Sequence, residues 1–321
     1  MTKRALVTGG AGFIGSNLVK GLASRDYEVY IVDDLSNGYL AFLPDDLAKN
    51  RRWLTSFDDQ ILLNDIRNQK FDFVFHLAAQ PRVSFSVEKP LETHDSNVTK
   101  TMKLLEACRG NTEKFIFASS SSVYGNSDQI PTSTVARLDP QSPYALQKLI
   151  IENYLSLYWK LYKFDSVSLR FFNVFGPNQI GSSPYSTAVS SWLNAILKQN
   201  SMRSDGDGSQ TRDMCYVDNV VDACIKAAEV KKPLAGVALN VGCGESVSNA
   251  SILSYLLKKF PDSKFHSAPW RAGDVKDTLA DISMTRCMVG YEPSVSFWDG
   301  LDRTIQWYVE NWNLISHISN Q

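Results

Sequence analysis

Short apolar runs recur along the first three quarters of the chain, and stretches with helical periodicity lie between most of them. The strand-like runs cover residues 4–8, 28–32, 71–75, 115–118, 167–172 and 237–241. The first helical stretch carries Leu18, Val19 and Leu22, which fall on one face of a helix. Strands that alternate with helices in this way predict an α/β fold with a Rossmann-like, doubly wound parallel sheet.

Residues suited to ligand binding follow the predicted strands directly. They are the glycine-rich run 9–15, Asp33, residues 76–79, residues 119–122 and Asn173. In open α/β sheets, ligands bind at the carboxyl ends of the strands. Because unrelated residues would be spread over both edges of the sheet, this pattern predicts one binding cavity at that edge.

The glycine-rich run indicates a dinucleotide site. It satisfies Gly-x-Gly-x-x-Gly from Gly10 and Gly-x-x-Gly-x-x-Gly from Gly9, and it lies between a predicted strand and a predicted helix. The missing side chains let the backbone approach a pyrophosphate at the positive end of the helix. Asp33 follows the second strand, 18 residues after Gly15, where a carboxylate accepts hydrogen bonds from a ribose and repels a 2′-phosphate. We therefore expect NAD rather than NADP.

A tyrosine and a lysine one helical turn apart form a candidate acid–base pair. Ser142 suits a helix N-cap and Pro143 the first helical position, so Tyr144 is predicted in the first turn and Lys148 one turn later. A nearby ammonium, or an oxidised nicotinamide, lowers the pKa of a phenol from its usual value of about 10. Tyr144 is thus a candidate base near neutral pH, although such a pair taken alone is more often a surface tyrosine and lysine.

Three further segments carry smaller predictions. Residues 65–66 are candidates to flank an adenine, and residues 77–79 are small enough for a cofactor to lie close, but an ordinary strand-end turn explains either segment equally well. Residues 90–109 predict one helix that ends at Gly110 and buries a stripe of apolar side chains. Asn97 is polar within that stripe and is a candidate to reach the site.

The chain becomes rich in turn residues after residue 172. Glycine, proline, serine and asparagine cluster at residues 176–178, 181–184 and 205–208. The pattern predicts that residues 1–172 form a Rossmann-like NAD-binding domain, to which about residues 212–241 return. Residues 173–321 are predicted to form mainly a smaller C-terminal α/β substrate lobe. Near the end, the aromatic residues Trp298, Trp307, Tyr308 and Trp312 predict a packed terminal helix.

Two arginines of the second lobe are candidates to bind a diphosphate. Arg212 lies in Gln210-Thr211-Arg212-Asp213, and Arg271 lies in Trp270-Arg271-Ala272-Gly273-Asp274. A planar guanidinium can pair with two phosphate oxygens at once. From spacing alone, each is more often a salt-bridged surface residue.

The composition excludes several other classes of protein. With 321 residues, 44% hydrophobic residues and a formal net charge of −1, the chain can bury a substantial core and lacks the basic surface of a nucleic-acid-binding protein. No apolar run approaches the roughly 18 residues of a membrane span, and the run behind the first residues is too short for a signal peptide, so we expect a cytoplasmic protein. Five cysteines without Cys-x-x-Cys spacing and four scattered histidines suggest neither a disulfide framework nor a metal site. The expected partner is a small molecule.

Taken together, these motifs resemble those of the extended short-chain dehydrogenase/reductase family. The resemblance covers nearly the whole chain and is strongest to the nucleotide-sugar 4-epimerases that act on UDP-glucose and UDP-N-acetylglucosamine. It rests on Thr8-Gly9-Gly10-Ala11-Gly12-Phe13-Ile14-Gly15, Asp33-Asp34-Leu35, His76-Leu77-Ala78-Ala79, Ser119-Ser120-Ser121-Ser122-Val123-Tyr124-Gly125, Ser142-Pro143-Tyr144 with Lys148, Leu169-Arg170-Phe171-Phe172-Asn173-Val174-Phe175-Gly176-Pro177 and Arg271-Ala272-Gly273-Asp274.

The resemblance implies a role for each motif. Tyr144 is implied as the catalytic base, Lys148 as the residue that holds the nicotinamide ribose, and Ser120 as the partner of the reacting hydroxyl, with Ser121 and Ser122 as alternatives. With the motifs above, the expected cofactor-binding residues are Gly9, Gly12, Phe13, Ile14, Gly15, Asp33, Asn37, Asp65, Ile66, Leu77, Ala78, Ala79, Asn97, Tyr144 and Lys148. The expected substrate-binding residues beyond the serines and Tyr144 are Arg82, Asn173, Arg212, Arg271, Asp274 and Thr278. A homodimer through paired helices of the NAD-binding domain is implied as well.

The serine run bears on the reaction. In the related 4,6-dehydratases the two positions after the catalytic Ser or Thr are Asp and Glu, and the decarboxylases keep the Glu, whereas this chain has Ser121 and Ser122. Without a carboxylate to protonate a leaving hydroxyl, NAD-dependent 4-epimerisation of a UDP-hexose through a transient 4-keto sugar is the expected reaction. A dehydratase or decarboxylase is the alternative. A non-catalytic NAD-binding regulator is the third hypothesis, which the presence of Ser120, Tyr144 and Lys148 disfavours.

Two positions bear on the sugar. Thr278 falls where epimerases restricted to UDP-glucose and UDP-galactose place a tyrosine, and a smaller residue leaves room for a 2-acetamido group. UDP-N-acetylglucosamine and UDP-N-acetylgalactosamine are therefore expected, with UDP-glucose and UDP-galactose as the second choice. Arg82 is unusual for its place and suits a uronate carboxylate, which keeps UDP-glucuronate 4-epimerisation open as an alternative.

Overall fold

A computed structural model describes residues 2–182, 187–270 and 275–319 of the chain. Its strands are β1 (Arg4–Thr8), β2 (Glu28–Val32), β3 (Arg52–Trp53), β4 (Phe71–His76), β5 (Thr112–Ser120), β6 (Ser166–Phe171), β7 (Asn173–Phe175), β8 (Met202–Asp205), β9 (Thr211–Arg212), β10 (Met214–Tyr216), β11 (Val237–Val241), β12 (Val247–Ser248) and β13 (Phe265–Ala268). Its helices are α1 (Phe13–Ala23), α2 (Asp45–Asn50), α3 (Gln60–Asn68), α4 (Val83–Glu88), α5 (Pro90–His94), α6 (Lys100–Cys108), α7 (Pro143–Tyr162), α8 (Ala188–Leu197), α9 (Val217–Glu229), α10 (Asn249–Lys259), α11 (Ser283–Val289), α12 (Phe297–Glu310) and α13 (Trp312–Ile318).

A seven-stranded sheet organises the described residues. Its strand order is β3-β2-β1-β4-β5-β6-β11, and every neighbouring pair is parallel. The order reverses at β1, with β2 on one side and β4 on the other, as in a doubly wound sheet. All six predicted strands belong to this sheet, so the predicted α/β class and parallel architecture are confirmed.

Alternation along each strand divides the apolar residues between the two faces of the sheet. In β1, Ala5 and Val7 join the core layer that contains α1 and α9, whereas Leu6 joins the opposite layer with α3 and α6. Both layers are fully covered, which is why the central strands consist almost entirely of buried residues. The carboxyl ends of the strands therefore all open on one edge, between the helical layers.

Two helical predictions need correction. The segment predicted as one helix over residues 90–109 contains a π-helical turn, Asp95–Thr99, between α5 and α6. The predicted terminal helix is two helices, α12 and α13, which meet at Asn311. Periodicity alone could not locate either interruption because the apolar stripe continues across both. Of the aromatic residues predicted to pack there, Tyr308 is fully buried, whereas Trp298 is 39% exposed.

The second part of the chain adds small sheets beside the carboxyl edge of the main sheet. Here β7 pairs with β10, β9 with β12 and β8 with β13. Strand β11, from the segment predicted to return to the sheet, pairs with β6 at its outer edge. Among the described residues, no helix combines the length and the apolar character needed to cross a membrane.

Candidate active site

A cavity of about 1010 Å³ opens at the carboxyl edge of the main sheet. Most of the site residues predicted from the sequence line it, from the glycine turn at one end to the serine run at the other. These lining residues are Gly9, Gly12, Phe13, Ile14, Gly15, Asp33, Asn37, Leu77, Ala78, Ala79, Ser120, Ser121, Ser122, Tyr144, Lys148, Asn173, Arg212 and Thr278. The predicted single cavity at this edge thus brings together residues that are far apart in the sequence.

The glycine turn between β1 and α1 leaves an open backbone surface. Gly9 has a φ of +70°, and a Cβ atom there would lie 2.7 Å from the backbone nitrogen of Ala78. A Cβ atom on Gly15 would overlap the carbonyl of Gly9. Gly12 is the N-cap of α1, so the first N–H groups of the helix face the cavity end of the turn. This backbone can approach an anion closely only because these positions lack side chains.

Asp33, directly after β2, is held in one orientation by backbone donors. Its Oδ2 accepts a hydrogen bond from the N–H of Ala11 at 2.9 Å, and its Oδ1 accepts one from the N–H of Leu35 at 2.8 Å. Gly38 packs directly against the carboxylate. Burial raises the pKa of Asp33, and these backbone hydrogen bonds oppose that rise. The carboxylate is therefore a fixed acceptor at the β2 end of the cavity.

Helix α7 carries the tyrosine and the lysine into the cavity as predicted. Ser142 is its N-cap, and its hydroxyl accepts from the N–H of Ala145 at 3.2 Å. The N–H of Tyr144 donates to the hydroxyl of Ser86 in α4, which anchors the first turn. Lys148 donates from Nζ to the carbonyl oxygen of Ala118 at 2.7 Å, and its Nζ lies 5.7 Å from the centre of the Tyr144 ring.

Burial dominates the pKa values of this pair in the protein alone. Burial raises the pKa of Tyr144 to about 12, although a hydrogen bond with Ser120 opposes the rise. Burial also lowers the pKa of Lys148 to about 7, against the opposing charge of Glu152. Desolvation of the buried ring dominates its pKa in the protein alone, so the prediction that Lys148 and an oxidised nicotinamide together make Tyr144 a base near neutral pH stays a prediction. A phenolate near neutral pH needs a further positive charge beside the ring.

The structure distinguishes among the three candidate serines. Ser120 ends β5 and is the N-cap of a short 3₁₀ turn, Ser121–Tyr124. Its Oγ accepts hydrogen bonds from the N–H of Ser122 at 3.2 Å and from the hydroxyl of Ser122 at 2.9 Å. Ser120 is also the serine that contacts the phenol of Tyr144. Because Ser122 donates twice to the oxygen of Ser120, the Ser120 hydroxyl can donate its own hydrogen to another acceptor.

Comparison with known proteins connects this geometry to a family. The family model described as "NAD dependent epimerase/dehydratase family" matches residues 5–242, which include the glycine turn, Asp33, the serine run and α7. The chain belongs to the NAD dependent epimerase/dehydratase family. The expected dependence on NAD is thereby confirmed, as is the resemblance to UDP-sugar 4-epimerases by the relatives described next.

Three relatives are similar to this chain over nearly their whole length. A UDP-glucose 4-epimerase of Mycolicibacterium smegmatis is 35% identical over 314 residues, which cover 95% of this chain and 98% of that protein. The structure of a UDP-N-acetylglucosamine 4-epimerase from Methanobrevibacter ruminantium M1, in complex with UDP-N-acetylmuramic acid, matches with a TM-score of 0.89 and 34% identity over 97% of this chain and 99% of that one. The UDP-glucuronic acid 4-epimerase from Bacillus cereus, in complex with UDP-glucuronic acid and NAD, matches with a TM-score of 0.86 and 32% identity over 96% and 99%. Each of the three names includes a UDP-sugar, but the sugar differs among them.

The residues predicted to flank an adenine do not reach the cavity. Asp65 and Ile66 lie in the second half of α3, and the side chain of Ile66 is buried in the core layer that contains α3 and α6. Thr55 and Phe57, which follow β3, line the cavity instead. The sequence missed them because β3 has only two residues and no apolar run marks it. A longer β3 would have carried an apolar run, and that run would have marked the residues after it as candidates for the cavity.

Asn97 supports the cavity wall from behind. It lies in the π-helical turn and is 4% exposed. Its Oδ1 accepts from the N–H of Gln80 at 2.7 Å, and its Nδ2 donates to the carbonyl of Gln80 at 3.0 Å and to Oε1 of Gln147 at 2.8 Å. Gln80 lines the cavity, whereas Asn97 does not. Asn97 is thus a support for the segment after β4 rather than a group that faces the cofactor.

The predicted arginines occupy different positions. Arg212 lines the cavity and donates to the carbonyl oxygens of Thr211 at 2.9 Å and Lys276 at 2.8 Å. Arg82 is half-buried at the start of α4, outside the cavity lining, and donates from Nε to the hydroxyl of Ser84. Arg271, predicted at the diphosphate, and Asp274, predicted at the substrate, lie outside the described residues.

A loop of the second lobe lines the cavity and was not predicted to do so. Asn178, Gln179 and Ile180 face the cavity. The side chain of Asn178 donates to Ser16 at 2.9 Å, and Asn17 donates to the carbonyl of Pro177 at 3.0 Å. Ser16 and Asn17 belong to α1, directly behind the glycine turn. The loop therefore packs against α1 at the glycine-turn end of the cavity.

Proposed function

We propose that this protein is a UDP-hexose 4-epimerase, with UDP-N-acetylglucosamine and UDP-N-acetylgalactosamine as its favoured pair. The observation that carries the proposal is the serine run beside Tyr144. Ser120 contacts the phenol, and the next two residues offer hydroxyl groups where a dehydratase needs carboxylates. The arrangement supports removal and return of one proton at a sugar hydroxyl, without elimination.

The residues present fit NAD. The side-chain-free backbone at Gly9 and Gly15 forms a cradle that any Cβ atom would fill, and Asp33 offers a fixed carboxylate at the end of β2. Ala78 and Ala79 present a small, flat wall between the glycine turn and α7. When bound, NAD supplies reversible acceptance of the hydrogen from the sugar C4. We assign the pyrophosphate to the glycine turn, the adenosine ribose to Asp33 and the nicotinamide ribose to Lys148.

The chain's own residues would move one proton and hold one hydroxyl. Tyr144, beside the positive charge of the oxidised cofactor, takes the proton of the C4 hydroxyl, while Ser120 donates a hydrogen bond to the same oxygen. The 4-keto sugar then presents its other face, and Tyr144 returns the proton to the reduced oxygen. Arg212 and Asn173 hold the diphosphate, so binding energy far from C4 retains the intermediate while the sugar turns.

A dehydratase or decarboxylase is less well supported. In the described part of the lining, the carboxylates are Asp33, Asp34 and Asp277. The first two follow β2 at the dinucleotide end, and Asp277 accepts hydrogen bonds from the N–H and hydroxyl of Thr211. None of the three belongs to the segment around Ser120. The second candidate is UDP-glucuronate 4-epimerisation, for which Arg82 is the residue to consider because its chain neighbours Pro81 and Val83 line the cavity.

Thr278 supports the choice of an N-acetylated sugar. It lines the cavity, and its hydroxyl lies 3.5 Å from Oδ1 of Asn173. A threonine here occupies less of the cavity than a tyrosine, which leaves space for an acetamido group. UDP-glucose and UDP-galactose would fit the same space without filling it.

The test is incubation with separate UDP-hexoses, followed by NMR of the products. The panel holds UDP-N-acetylglucosamine, UDP-glucose and UDP-glucuronate. The proposal expects the C4 epimer of the first at the highest kcat/KM, with no net formation of NADH. Loss of water or carbon dioxide from any of them would contradict it, and exclusive turnover of the uronate would replace it with the second candidate.

We also propose that the protein is a homodimer. Helix α7 exposes Leu146, Leu157 and Leu161, and Leu91 on the adjacent α5 is 86% exposed. Two helices with apolar outer faces side by side suit packing against the same pair in a second copy. This is the pairing of NAD-binding-domain helices that the sequence resemblance implied.

A further inference from the structure

Helix α7 is joined to the end of strand β5 at three successive points. Its residues Tyr144, Lys148 and Glu152 are one turn apart and share one face of the helix. Each meets one of the last three residues of β5. The contacts are Tyr144 with Ser120, Lys148 Nζ with the carbonyl of Ala118 at 2.7 Å, and Ser119 Oγ with Oε1 of Glu152 at 2.5 Å. The first two belong to the proposed chemistry, whereas the third has no assigned role.

Glu152 is a buried carboxylate held by a buried arginine. It is 5% exposed, and Arg170 in β6 is 3% exposed. Arg170 donates from Nη2 to Oε2 at 2.7 Å and from Nε to Oε1 at 3.0 Å, so the pair is bidentate. Arg170 also donates to the hydroxyl of Tyr124 at 2.7 Å, and Tyr124 donates to Oδ1 of Asn240 at 2.6 Å. Every charged member of this network has a partner, which fixes the geometry of each.

The network holds the one segment of β5 that faces the cavity. Ser119 and Ser120 are consecutive strand residues, so their side chains point to opposite sides. When Glu152 holds the hydroxyl of Ser119 on one side, the position of Ser120 on the other side is fixed relative to α7. The same helix carries Tyr144. Glu152 therefore links Ser120 and Tyr144, the two residues that act on the C4 hydroxyl of the sugar in the proposed reaction.

Glu152 is also the nearest compensating charge for Lys148. Lys148 faces Tyr144 and Glu152 on its own helix, His76 on β4 and the ring of Phe117 on β5. Burial keeps His76 neutral, which leaves Glu152 as the anion among these groups. The Glu152 carboxylate raises the pKa of Lys148 against the effect of burial.

We propose that Glu152 is a positioning residue, which through Ser119 fixes Ser120 against Tyr144. This inference rests on the proposed epimerase function, because that function defines what Ser120 and Tyr144 do. An ion pair with only a structural role would stabilise the fold without affecting what Ser120 and Tyr144 do.

The chain contains a matched control at the other end of the same strand. Lys114 in β5 is buried and lies 3.7 Å from Asp165, the residue before β6. Asp165 accepts hydrogen bonds from the N–H groups of Leu234 and Ala235, so its replacement also removes a partly buried charge. This pair is distant from the cavity lining. Asp165→Asn therefore reports the effect of lost stability alone.

The first test is a double-mutant cycle of Glu152→Gln and Ser119→Ala, with Asp165→Asn beside it. We expect kcat for the UDP-hexose to fall roughly 10- to 100-fold in Glu152→Gln, because a small misplacement of reacting groups has effects of that size. KM should stay unchanged, since the nucleotide is held elsewhere. Because Glu152 acts through Ser119, the double variant should be no slower than Glu152→Gln. Fully additive losses, or an equal loss of kcat in Asp165→Asn at a temperature where both variants are folded, would overturn the proposal.

The second test does not depend on turnover. The titration of Tyr144 in the NAD-bound protein is followed by the tyrosinate absorbance that Tyr144→Phe removes. Glu152→Gln should raise the pKa of Tyr144, because Ser120, whose hydrogen bond lowers that pKa, is then no longer held against the phenol. Asp165→Asn should leave the titration unchanged. If wild-type protein turns over no UDP-hexose, the proposed function fails, and an unshifted titration in Glu152→Gln would refute the positioning role separately.

Discussion

At Tyr144 two physical effects act in opposite directions. The hydrogen bond with Ser120 favours the phenolate, but burial of the ring disfavours any charge, and burial has the larger effect on the pKa. The sequence could predict that Tyr144 and Lys148 share a helix face, since N-cap and proline signals fixed the start of α7. It could not predict the balance, because desolvation depends on packing from α4 and β5. We therefore propose that the positive charge of the oxidised cofactor determines when Tyr144 acts as a base.

Replacement of Tyr144 by Phe tests its role. The ring keeps its packing, so we expect unchanged NAD content and an unchanged midpoint of thermal unfolding, whereas kcat should fall roughly 10²- to 10⁴-fold with the loss of acid–base catalysis. Steady-state kinetics with a UDP-hexose measure the change. Tyr154→Phe, in an exposed position of the same helix, is the matched control and should keep wild-type activity. Equal rates for Tyr144→Phe and wild type would remove Tyr144 from the mechanism.

His76 makes the stability of the folded protein sensitive to acid. Its ring lies between the hydroxyls of Thr8 and Thr101, at 2.7 Å and 2.9 Å, and burial lowers its pKa from 6.5 to about 3. Between these values the unfolded chain binds a proton that the folded chain excludes. The stability from this group is therefore complete above a pH of about 6.5 and decreases as the pH falls, by at most roughly 1.4 kcal/mol per pH unit.

The matching prediction compares wild type with His76→Gln. Denaturant unfolding from about pH 7 to about pH 4 should show a shallower loss of unfolding free energy in the variant, because glutamine does not titrate. The variant should be less stable than wild type near neutral pH, since its side chain cannot reproduce both hydroxyl contacts. Parallel pH dependences for the two proteins would contradict this account.

At the scale of elements, the strands and their carboxyl ends were predictable and the interruptions were not. Six apolar runs were long enough to identify strands of the main sheet, and the residues directly after all of them except β11 line one cavity. β3 is too short for a hydrophobic signal, so Thr55 and Phe57 were missed and residues 65–66 were chosen instead. The π-helical turn Asp95–Thr99 leaves no mark in the apolar pattern, although it turns Asn97 toward Gln80.

The π-helical turn leads to a prediction for Asn97. Asn97→Ala removes both hydrogen bonds to the backbone of Gln80 and the hydrogen bond to the buried side chain of Gln147, and the loss of a hydrogen bond at a buried polar group costs about 1–3 kcal/mol. We expect a lower free energy of unfolding and faster loss of NAD, since Gln80 follows the small residues that face the cofactor. Denaturant titration and NAD release on dilution measure the two effects. Asn64→Ala, at an exposed position of α3, should change neither.

At the scale of the whole molecule, contacts of the loop at residues 177–180 join α1, behind the glycine turn, to α12 near the end of the chain. Asn178 reaches Ser16 behind the glycine turn, and the hydroxyl of Tyr308 in α12 donates to the carbonyl of Gln179. Such contacts suit a cofactor that stays bound while it accepts a hydrogen from the sugar and returns it. The sequence predicted a second lobe from its turn-rich composition. It could not predict which loop crosses to α1, since that depends on how the lobes are packed.

The proposed dimer makes a prediction at the same scale. Wild-type protein should show twice the 35.9 kDa mass of one chain in light scattering after gel filtration. Leu157→Glu combined with Leu161→Glu places two charges on the exposed face of α7 and should give monomers. Val309→Glu, at an exposed apolar position of α12, should remain dimeric. A monomeric wild type, or dimers in both variants, would contradict pairing through α7.

The central claim is that one hydrogen leaves the sugar C4 and returns to the same carbon on the other face. The most direct measurement uses UDP-N-acetylglucosamine carrying deuterium at C4, with NMR and mass spectrometry of the products. The account predicts UDP-N-acetylgalactosamine that retains the deuterium at C4, with none lost to the solvent. Deuterium at C6, deuterium exchanged into water, or no epimer from any UDP-hexose would contradict it.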